Sequence, residues 1–125
     1  MKIRYNESEE NYLEAILMLS EELPVVRSVD IANHLDFKKS SVSIAMKNLR
    51  EKKYITMTDA GYIYLTGAGK AIAENVYERH KVLTFCLEKL GVDPDIAEQD
   101  ACKVEHVISQ ETFDAIKKYM VQKIG

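Results

Sequence analysis

The sequence predicts a mainly α-helical fold, in which a winged helix-turn-helix lobe is followed by a second, helical lobe. Over most of the 125 residues, apolar side chains recur at steps of three and four, the period of an amphipathic helix. The exception is residues 54–65, where two short strand-forming runs flank the turn sequence at residues 59–61. Three helices, a hairpin and three further helices therefore follow one another, and we expect one lobe at residues 1–70 and the other at residues 71–125.

The first lobe is expected to contain three helices and the hairpin. The first helix covers residues 7–21. Ser28 is a candidate N-cap of a short helix that ends near Leu35, because a serine hydroxyl can accept a backbone N–H bond. Residues 36–39 form the turn before a third helix, whose inward positions are Val42, Ala45, Met46 and Leu49. In a helix-turn-helix the second helix of the pair enters the major groove of DNA.

The second lobe is expected to consist of a long linking helix and two shorter helices. Thr66 caps the long helix and Gly91 ends it. The apolar stripe of this helix is interrupted by one imidazole: Ile72, Val76, His80, Leu83, Leu87 and Leu90. Asp93 and Pro94 begin the next helix, whose inward face includes Ala97, Ala101, Val104 and Ile108. Ser109 caps the last helix, which carries Phe113, Ile116 and Met120.

Composition places the chain among soluble, cytoplasmic proteins. Hydrophobic residues make up 46% of the sequence and charged residues 30%. The longest apolar run, residues 15–19, is far shorter than the roughly 20 residues that cross a bilayer, so no membrane association is expected. The two cysteines, Cys86 and Cys102, form no CxxC pair and are expected to be reduced thiols.

The charges are unevenly distributed, and this distribution favours DNA binding by the third helix. Residues 37–53 contain six basic residues against one acidic residue, which suits a surface that meets phosphate. The outward positions of the third helix include Ser40, Ser43, Ile44 and Lys47. The candidate DNA-contacting residues are Arg27, Lys38, Lys39, Ser40, Ser41, Ser43 and Lys47. The alternative is a basic helix that only faces solvent, which is the usual role of a run of charge.

The segment around residue 102 predicts a metal site. Cys102, Glu105 and His106 stand at i, i+3 and i+4, so on a helix they share one face. A thiolate, a carboxylate and an imidazole that converge can bind a divalent transition metal. His80, within an apolar stripe, needs a polar partner and could join them. Taken singly, these residues are more often a core cysteine, surface residues and a hydrogen-bonded core histidine.

The chain resembles the diphtheria toxin repressor family of iron- and manganese-dependent transcriptional repressors. The resemblance covers nearly the whole chain and is most specific at residues 100–109; the other matching segments are residues 11–14, 28–35, 40–49, 65–70 and 79–80. It implies metal ligands at Glu14, His80, Cys102, Glu105 and His106, with a further ligand at Asn11 and an ancillary one at Glu98.

The sequence therefore favours a homodimeric, metal-activated repressor that binds a palindromic operator in double-stranded DNA. The thiolate of Cys102 favours Fe²⁺ as the activating ion, with Mn²⁺ as the alternative within the same fold. Two other hypotheses are a winged-helix regulator that senses an organic ligand and, from a different class, a small metalloenzyme. The chain shows no Ser-His-Asp or Cys-His-Asp set in an orienting context, so we expect no enzymatic activity.

Overall fold

The computed structural model describes residues 7–124, and the side chains of residues 7–122. The elements are α1 (Glu7–Glu22), α2 (Ser28–Leu35), α3 (Lys39–Glu51), β1 (Ile55–Met57), β2 (Ile63–Leu65), α4 (Gly67–Lys89), α5 (Pro94–Val104) and α6 (Gln110–Ile124). The described residues fall into two compact units, residues 7–74 (the N-terminal unit) and residues 75–124 (the C-terminal unit). None of the helices seen in residues 7–124 is both long and apolar enough to cross a membrane.

The N-terminal unit contains the expected helix-turn-helix. Three residues separate α2 from α3, and the first of them, Asp36, adopts the left-handed conformation (φ 57°, ψ 46°) that reverses the chain. Its N–H donates to the Ala32 carbonyl and so closes the last turn of α2. The N-cap of α2 is Arg27 rather than the predicted Ser28, and Asp30 at the third helical position accepts the Arg27 backbone N–H at 2.9 Å. A carboxylate in the first turn thus replaces the serine hydroxyl as the capping group.

The hairpin forms the wing. Strands β1 and β2 are antiparallel, with Ile55 opposite Leu65 and Met57 opposite Ile63. Both strands are shorter than the sequence indicated, and a bridge between Val26 and Ile63 fastens the hairpin to the segment before α2. Alternation along each strand points Ile55 and Ile63 into the core and leaves Thr56 and Tyr64 towards solvent.

A close approach between backbones fixes the start of α4 against the wing. A Cβ on Gly69 would lie 2.0 Å from the Tyr54 carbonyl oxygen, so only glycine fits there. Thr66 supplies the predicted cap, because its Oγ1 accepts the Gly69 N–H at 3.2 Å and donates to the Lys53 carbonyl at 2.7 Å. The hydroxyl therefore joins the first turn of α4 to the segment between α3 and β1.

The core of the N-terminal unit is mostly apolar. The apolar side chains no more than 1% exposed come from α1, α2, α3, β1 and the first part of α4, and they are Leu13, Ile16, Ile31, Val42, Met46, Leu49, Ile55 and Ala73. One carboxylate, Glu10 of α1, is equally buried. In α2 and α3 the buried residues lie on the face on which apolar residues recur in the sequence. In α1 every residue from 12 to 17 is buried, so Leu13 is buried although it does not belong to the periodic apolar face of that helix.

The C-terminal unit contains the later part of α4 with α5 and α6. Asp93 caps α5 by accepting the Asp95 N–H at 3.1 Å, and Pro94 occupies the first turn, as predicted. The prediction that this helix continues to Ile108 is wrong: α5 ends at Val104, and residues 105–107 form a turn. Val104, predicted to face inward, is 36% exposed. Ser109 begins α6 as expected, its hydroxyl accepting the Thr112 N–H at 3.0 Å.

Candidate metal centre and nucleic-acid interface

The C-terminal unit brings together three of the predicted ligands from two elements. His80 is on α4, Cys102 is in the last turn of α5, and Glu105 is the first residue after α5. One nitrogen, sulfur or oxygen atom of each lies within 4.8 Å of the others. The His80 Nδ1 is 3.0 Å from Glu105 Oε2 and 3.6 Å from Cys102 Sγ, so a single ring nitrogen faces both the carboxylate and the sulfur. We call these three residues the metal cluster.

His106 extends the cluster on its buried side. Its Nε2 lies 3.3 Å from Glu105 Oε1, the carboxylate oxygen that does not face His80. Glu105 is 1% exposed and His106 9% exposed, whereas Cys102 is exposed. The cluster is therefore open to solvent at the thiol and closed at the carboxylate, so an ion could enter beside Cys102.

The electrostatics of the cluster favour a cation. Hydrogen bonds to Cys102 and then to Glu105 raise the pKa of His80 from 6.5 to about 10, against the opposing effect of burial. At neutral pH a proton on His80 therefore provides positive charge between the thiol and the carboxylate. A divalent cation would take over that role, and imidazole, thiolate and carboxylate are donors that such ions accept in proteins. The residues present thus fit a transition metal.

Arg79, to which the sequence analysis assigned no role, organises the turn that carries Glu105. Its side chain is completely buried, and its Nη1 donates to the carbonyls of Glu105 at 3.2 Å and Ile108 at 2.8 Å. Its Nη2 donates to Gln110 Oε1 at 2.9 Å, and the guanidinium carbon lies 5.4 Å from the centre of the Phe113 ring. The spacing could have indicated this role, since Arg79 lies three residues after Val76, on the buried side of α4.

The hydrogen bonds from Arg79 explain why α5 ends at Val104, before the predicted position. In a continuing helix the Glu105 carbonyl would accept an amide N–H four residues later, but here it accepts the Arg79 guanidinium. The chain can then turn at residues 105–107, and Glu105 and His106 leave the helix surface on which Cys102 lies. The three residues still converge, although not through the continuous helical face that their spacing predicted.

Three further predicted ligands are not among the residues of the metal cluster. Asn11 and Glu14 are on α1 in the N-terminal unit, at i and i+3, with Glu14 only 8% exposed. Glu98 is exposed on α5, one turn before Cys102, and is not in the metal cluster.

The predicted DNA-contacting residues of α3 and of the turn before it form an exposed surface. These residues are Lys38, Lys39, Ser40, Ser41, Ser43 and Lys47, and all are exposed. Arg27, at the start of α2, is turned towards the wing: its Nη2 lies 3.3 Å from the Tyr62 hydroxyl and its guanidinium carbon 5.0 Å from the Tyr62 ring centre. The wing strands and their turn carry no lysine or arginine, so the positive charge of this unit is concentrated at α3.

Comparisons with known proteins cover almost all of the chain. Two protein-family models match the sequence. "Iron dependent repressor, N-terminal DNA binding domain" matches residues 5–62, and "Iron dependent repressor, metal binding and dimerisation domain" matches residues 66–122. Transcriptional regulator MntR of Escherichia coli O157:H7 is 35% identical over 116 residues, which are 93% of this chain and 74% of that protein.

Two further similarities extend this result. An uncharacterized HTH-type transcriptional regulator of Methanocaldococcus jannaschii is 32% identical over 117 residues, covering 92% of this chain and 94% of that protein. A solved manganese-dependent transcriptional repressor in complex with manganese superposes with a TM-score of 0.82 at 23% identity, over 90% of this chain and 52% of that one. That structure supports the fold described above.

Proposed function

This chain belongs to the diphtheria toxin repressor family of metal-dependent transcriptional regulators, and from that premise we propose that His80, Cys102 and Glu105 bind the metal that controls its DNA binding. The observation that carries the proposal is the convergence of a nitrogen, a sulfur and an oxygen donor within 4.8 Å in the lobe after residue 75. Membership of a family of transcriptional regulators also sets aside the metalloenzyme alternative.

The proposed ligand shell is larger than the metal cluster. His106, in contact with the second Glu105 oxygen, is the fourth residue from the same lobe. The family resemblance adds Asn11 and Glu14 from α1, and Glu98 as an ancillary ligand.

DNA recognition is proposed for α3. Its exposed serines can reach base edges or phosphates, and Lys38, Lys39 and Lys47 can neutralise phosphates. Arg27 and the wing would follow the backbone beside it. Such a regulator acts in the compartment that holds the DNA, which we take to be the cytoplasm.

A homodimer on a palindromic operator is proposed as the active form. The C-terminal unit exposes several large apolar side chains, which are Leu90, Ile96, Val107, Tyr119 and Val121. A second copy of the same lobe would cover apolar surface of this kind. Two copies related by a two-fold axis would present two α3 helices to two half-sites.

Fe²⁺ is the proposed activating ion, because the Cys102 thiolate makes the site softer than one built from oxygen and nitrogen alone. Mn²⁺ is the second candidate, since a solved repressor of the same fold depends on manganese. The Cys102→Glu variant separates them: with an added carboxylate, it should gain response to Mn²⁺ relative to Fe²⁺. If the wild type is activated at a lower free concentration of Mn²⁺ than of Fe²⁺, and Cys102→Glu leaves the metal response unchanged, manganese is the activating ion.

The proposal is tested by anaerobic DNA binding with each divalent metal in turn. Wild-type protein should bind its operator only with metal and should release it on addition of a chelator. The double variant Glu105→Ala/His106→Ala should lose this response, and Lys103→Ala provides a control because its side chain is exposed beside the cluster. Operator binding that is independent of metal and unchanged by chelator would refute the proposal.

A further inference from the structure

Ile44 lies on the face of α3 opposite to the core. The buried side chains of this helix are Val42, Met46 and Leu49, each no more than 1% exposed. At about 100° per residue, Ile44 is turned by roughly 190° from the centre of that buried face. Its side chain is 64% exposed, the highest value among the large apolar side chains described for residues 7–74. Packing within the unit therefore does not explain an isoleucine at this position.

The neighbours of Ile44 on the helix surface are polar. Ser40 and Lys47 lie four residues before and three residues after it, and both are exposed. Ser41 and Asn48 flank it on the other side, along a cleft of about 400 Å³ between α1 and α3 to whose edge Ile44 also contributes. Ile44 is thus a single apolar group at the centre of a surface otherwise suited to phosphates and base edges.

The chemistry of the major groove restricts what such a group can contact. Guanine, adenine and cytosine present hydrogen-bond donors and acceptors there, and isoleucine can satisfy none of them. Covering a polar base edge with a hydrocarbon removes water from groups that then lack partners, which is unfavourable. Thymine alone presents an apolar group in this groove, its C5-methyl.

We propose that Ile44 determines operator specificity by packing against the C5-methyl group of a thymine in each half-site. This inference rests on the proposed function, in which α3 enters the major groove. The flanking Ser40 and Lys47 are exposed and can make polar contacts to the DNA near that thymine. Ile44 would then discriminate between bases, while its neighbours would contribute binding affinity. Removal of one buried methyl group from the interface corresponds to about a fourfold decrease in affinity per half-site.

Replacement of thymine by deoxyuridine tests the inference, because it removes the methyl group and leaves the base-pairing and hydrogen-bonding groups intact. An operator would first be selected from a random duplex library with wild-type protein loaded under argon with Fe²⁺ or Mn²⁺. Each thymine of the half-site would then be replaced in turn, and affinities measured for the wild type and for Ile44→Ala. Ile44 is exposed, so the variant should fold normally, which its melting curve would verify.

The wild type should lose about fourfold in affinity at one thymine per half-site, and Ile44→Ala should show no penalty at that position. Ile44→Val, which is shorter by one methyl group, should retain part of the penalty. Val29→Ala, which trims an exposed apolar side chain on α2, should retain all of it.

Two results separate failure of this inference from failure of the proposed function. If the wild type binds the operator with metal, but no thymine is sensitive or the penalty persists in Ile44→Ala, the role of Ile44 is wrong and the proposed function stands. If the wild type selects no duplex with either metal, both fail together.

Discussion

The two units of this protein differ in what lies at their centres. Large aliphatic side chains from three helices and a strand make up most of the core of the N-terminal unit, with Leu13, Ile31 and Val42 completely buried and Glu10 as a buried carboxylate. In the C-terminal unit the largest fully buried side chains are Arg79, Phe113 and Glu105, two of which are charged. Burial of apolar groups stabilises without regard to direction, whereas a buried charge needs partners at defined positions.

This difference matches the two proposed roles. A DNA-reading unit must hold α3 and the wing in one shape, and an apolar core does so whether or not metal is present. A sensing unit must respond to an ion, and a polar network can respond because its charges change when the ion binds. The C-terminal unit also leaves apolar side chains exposed, as a unit that pairs with a second copy would.

The largest effect on stability is expected from the apolar core of the N-terminal unit. Leu13→Ala should lower the free energy of unfolding by about 2–5 kcal/mol, because it leaves a cavity among fully buried neighbours. The decrease should be the same with and without metal. Chemical denaturation followed by circular dichroism measures it, with Val29→Ala, at an exposed position, as the matched control. A decrease that metal reverses would show that packing of this apolar core depends on metal binding.

Arg79 should behave differently, because its removal affects stability and metal binding together. Arg79→Leu removes the donor from three acceptors and should cost about 3 kcal/mol, at about 1 kcal/mol for each hydrogen bond. Because the turn that carries Glu105 is then no longer held, metal affinity should fall at least about tenfold. Arg79→Lys should recover only part of both, since an ammonium lacks the guanidinium fork.

The control for Arg79 is Lys81→Met, which removes an exposed cation from the same helix. Calorimetric metal titration and denaturation of the three variants give both quantities. If Arg79→Leu is destabilised but binds metal as tightly as the wild type, the arginine supports the lobe without positioning the cluster.

Metal affinity should rise with pH. The pKa of His80 is raised to about 10 by Cys102 and Glu105, so below that pH the metal-free cluster holds a proton that an incoming ion must displace. Each pH unit between 6 and 8 should therefore raise the affinity by about tenfold per displaced proton, and the effect should level off above pH 10. The sign is opposite for folding: the stabilisation by this proton is fully present below about pH 6.5, decreases above it and is lost as the pH rises through about 10.

Titration calorimetry in buffers of different ionisation enthalpy counts the released protons. We expect at least one proton per metal at pH 7, and His34→Gln, at an exposed histidine on α2, should give the same number. A count near zero would mean that metal binding does not remove the proton from His80, and hence that His80 is not a ligand.

The smallest expected effects concern phosphate binding by α3 and the residue before it. Lys38→Ala, Lys39→Ala and Lys47→Ala should each flatten the dependence of log K on log salt by about 0.9 for every phosphate that is no longer neutralised. Each substitution should leave unfolding unchanged, since the side chains are exposed. Fluorescence anisotropy across a range of salt concentrations gives the slope. Identical slopes in all three variants and the wild type would assign DNA binding to another surface.

The sequence predicted the architecture well because local rules determine most of it. The stripes of α1 and α3, the turn sequence of the hairpin and the caps at Thr66, Asp93 and Ser109 each act over a few residues. The family match supports the fold class and the metal-dependent regulator that the sequence indicated. The ligand set remains a proposal, although the structure places His80, Cys102 and Glu105 together.

What the sequence did not predict depends on contacts between distant segments. The helical spacing of apolar residues continues to Ile108. It does not indicate that Arg79, 26 and 29 residues earlier in the chain, donates hydrogen bonds to the carbonyls of Glu105 and Ile108. The spacing of Arg79 from Val76 indicates the buried side of α4, but an arginine is ordinarily expected at the surface, and the three acceptors that permit its burial lie far along the chain. Similarly, the capping of α2 by Asp30 rather than Ser28 depends on where the chain enters the helix.

The central claim, that metal bound at the cluster controls DNA binding, is tested most directly by the metal-binding isotherm measured with and without operator DNA. Thermodynamic linkage requires that operator DNA tighten metal binding by the same factor by which metal tightens operator binding. We predict a tightening of at least about tenfold in the wild type, at the low end of typical coupling, and none in His80→Ala. An isotherm that is identical with and without operator would contradict the account, because the metal and the DNA would then bind independently.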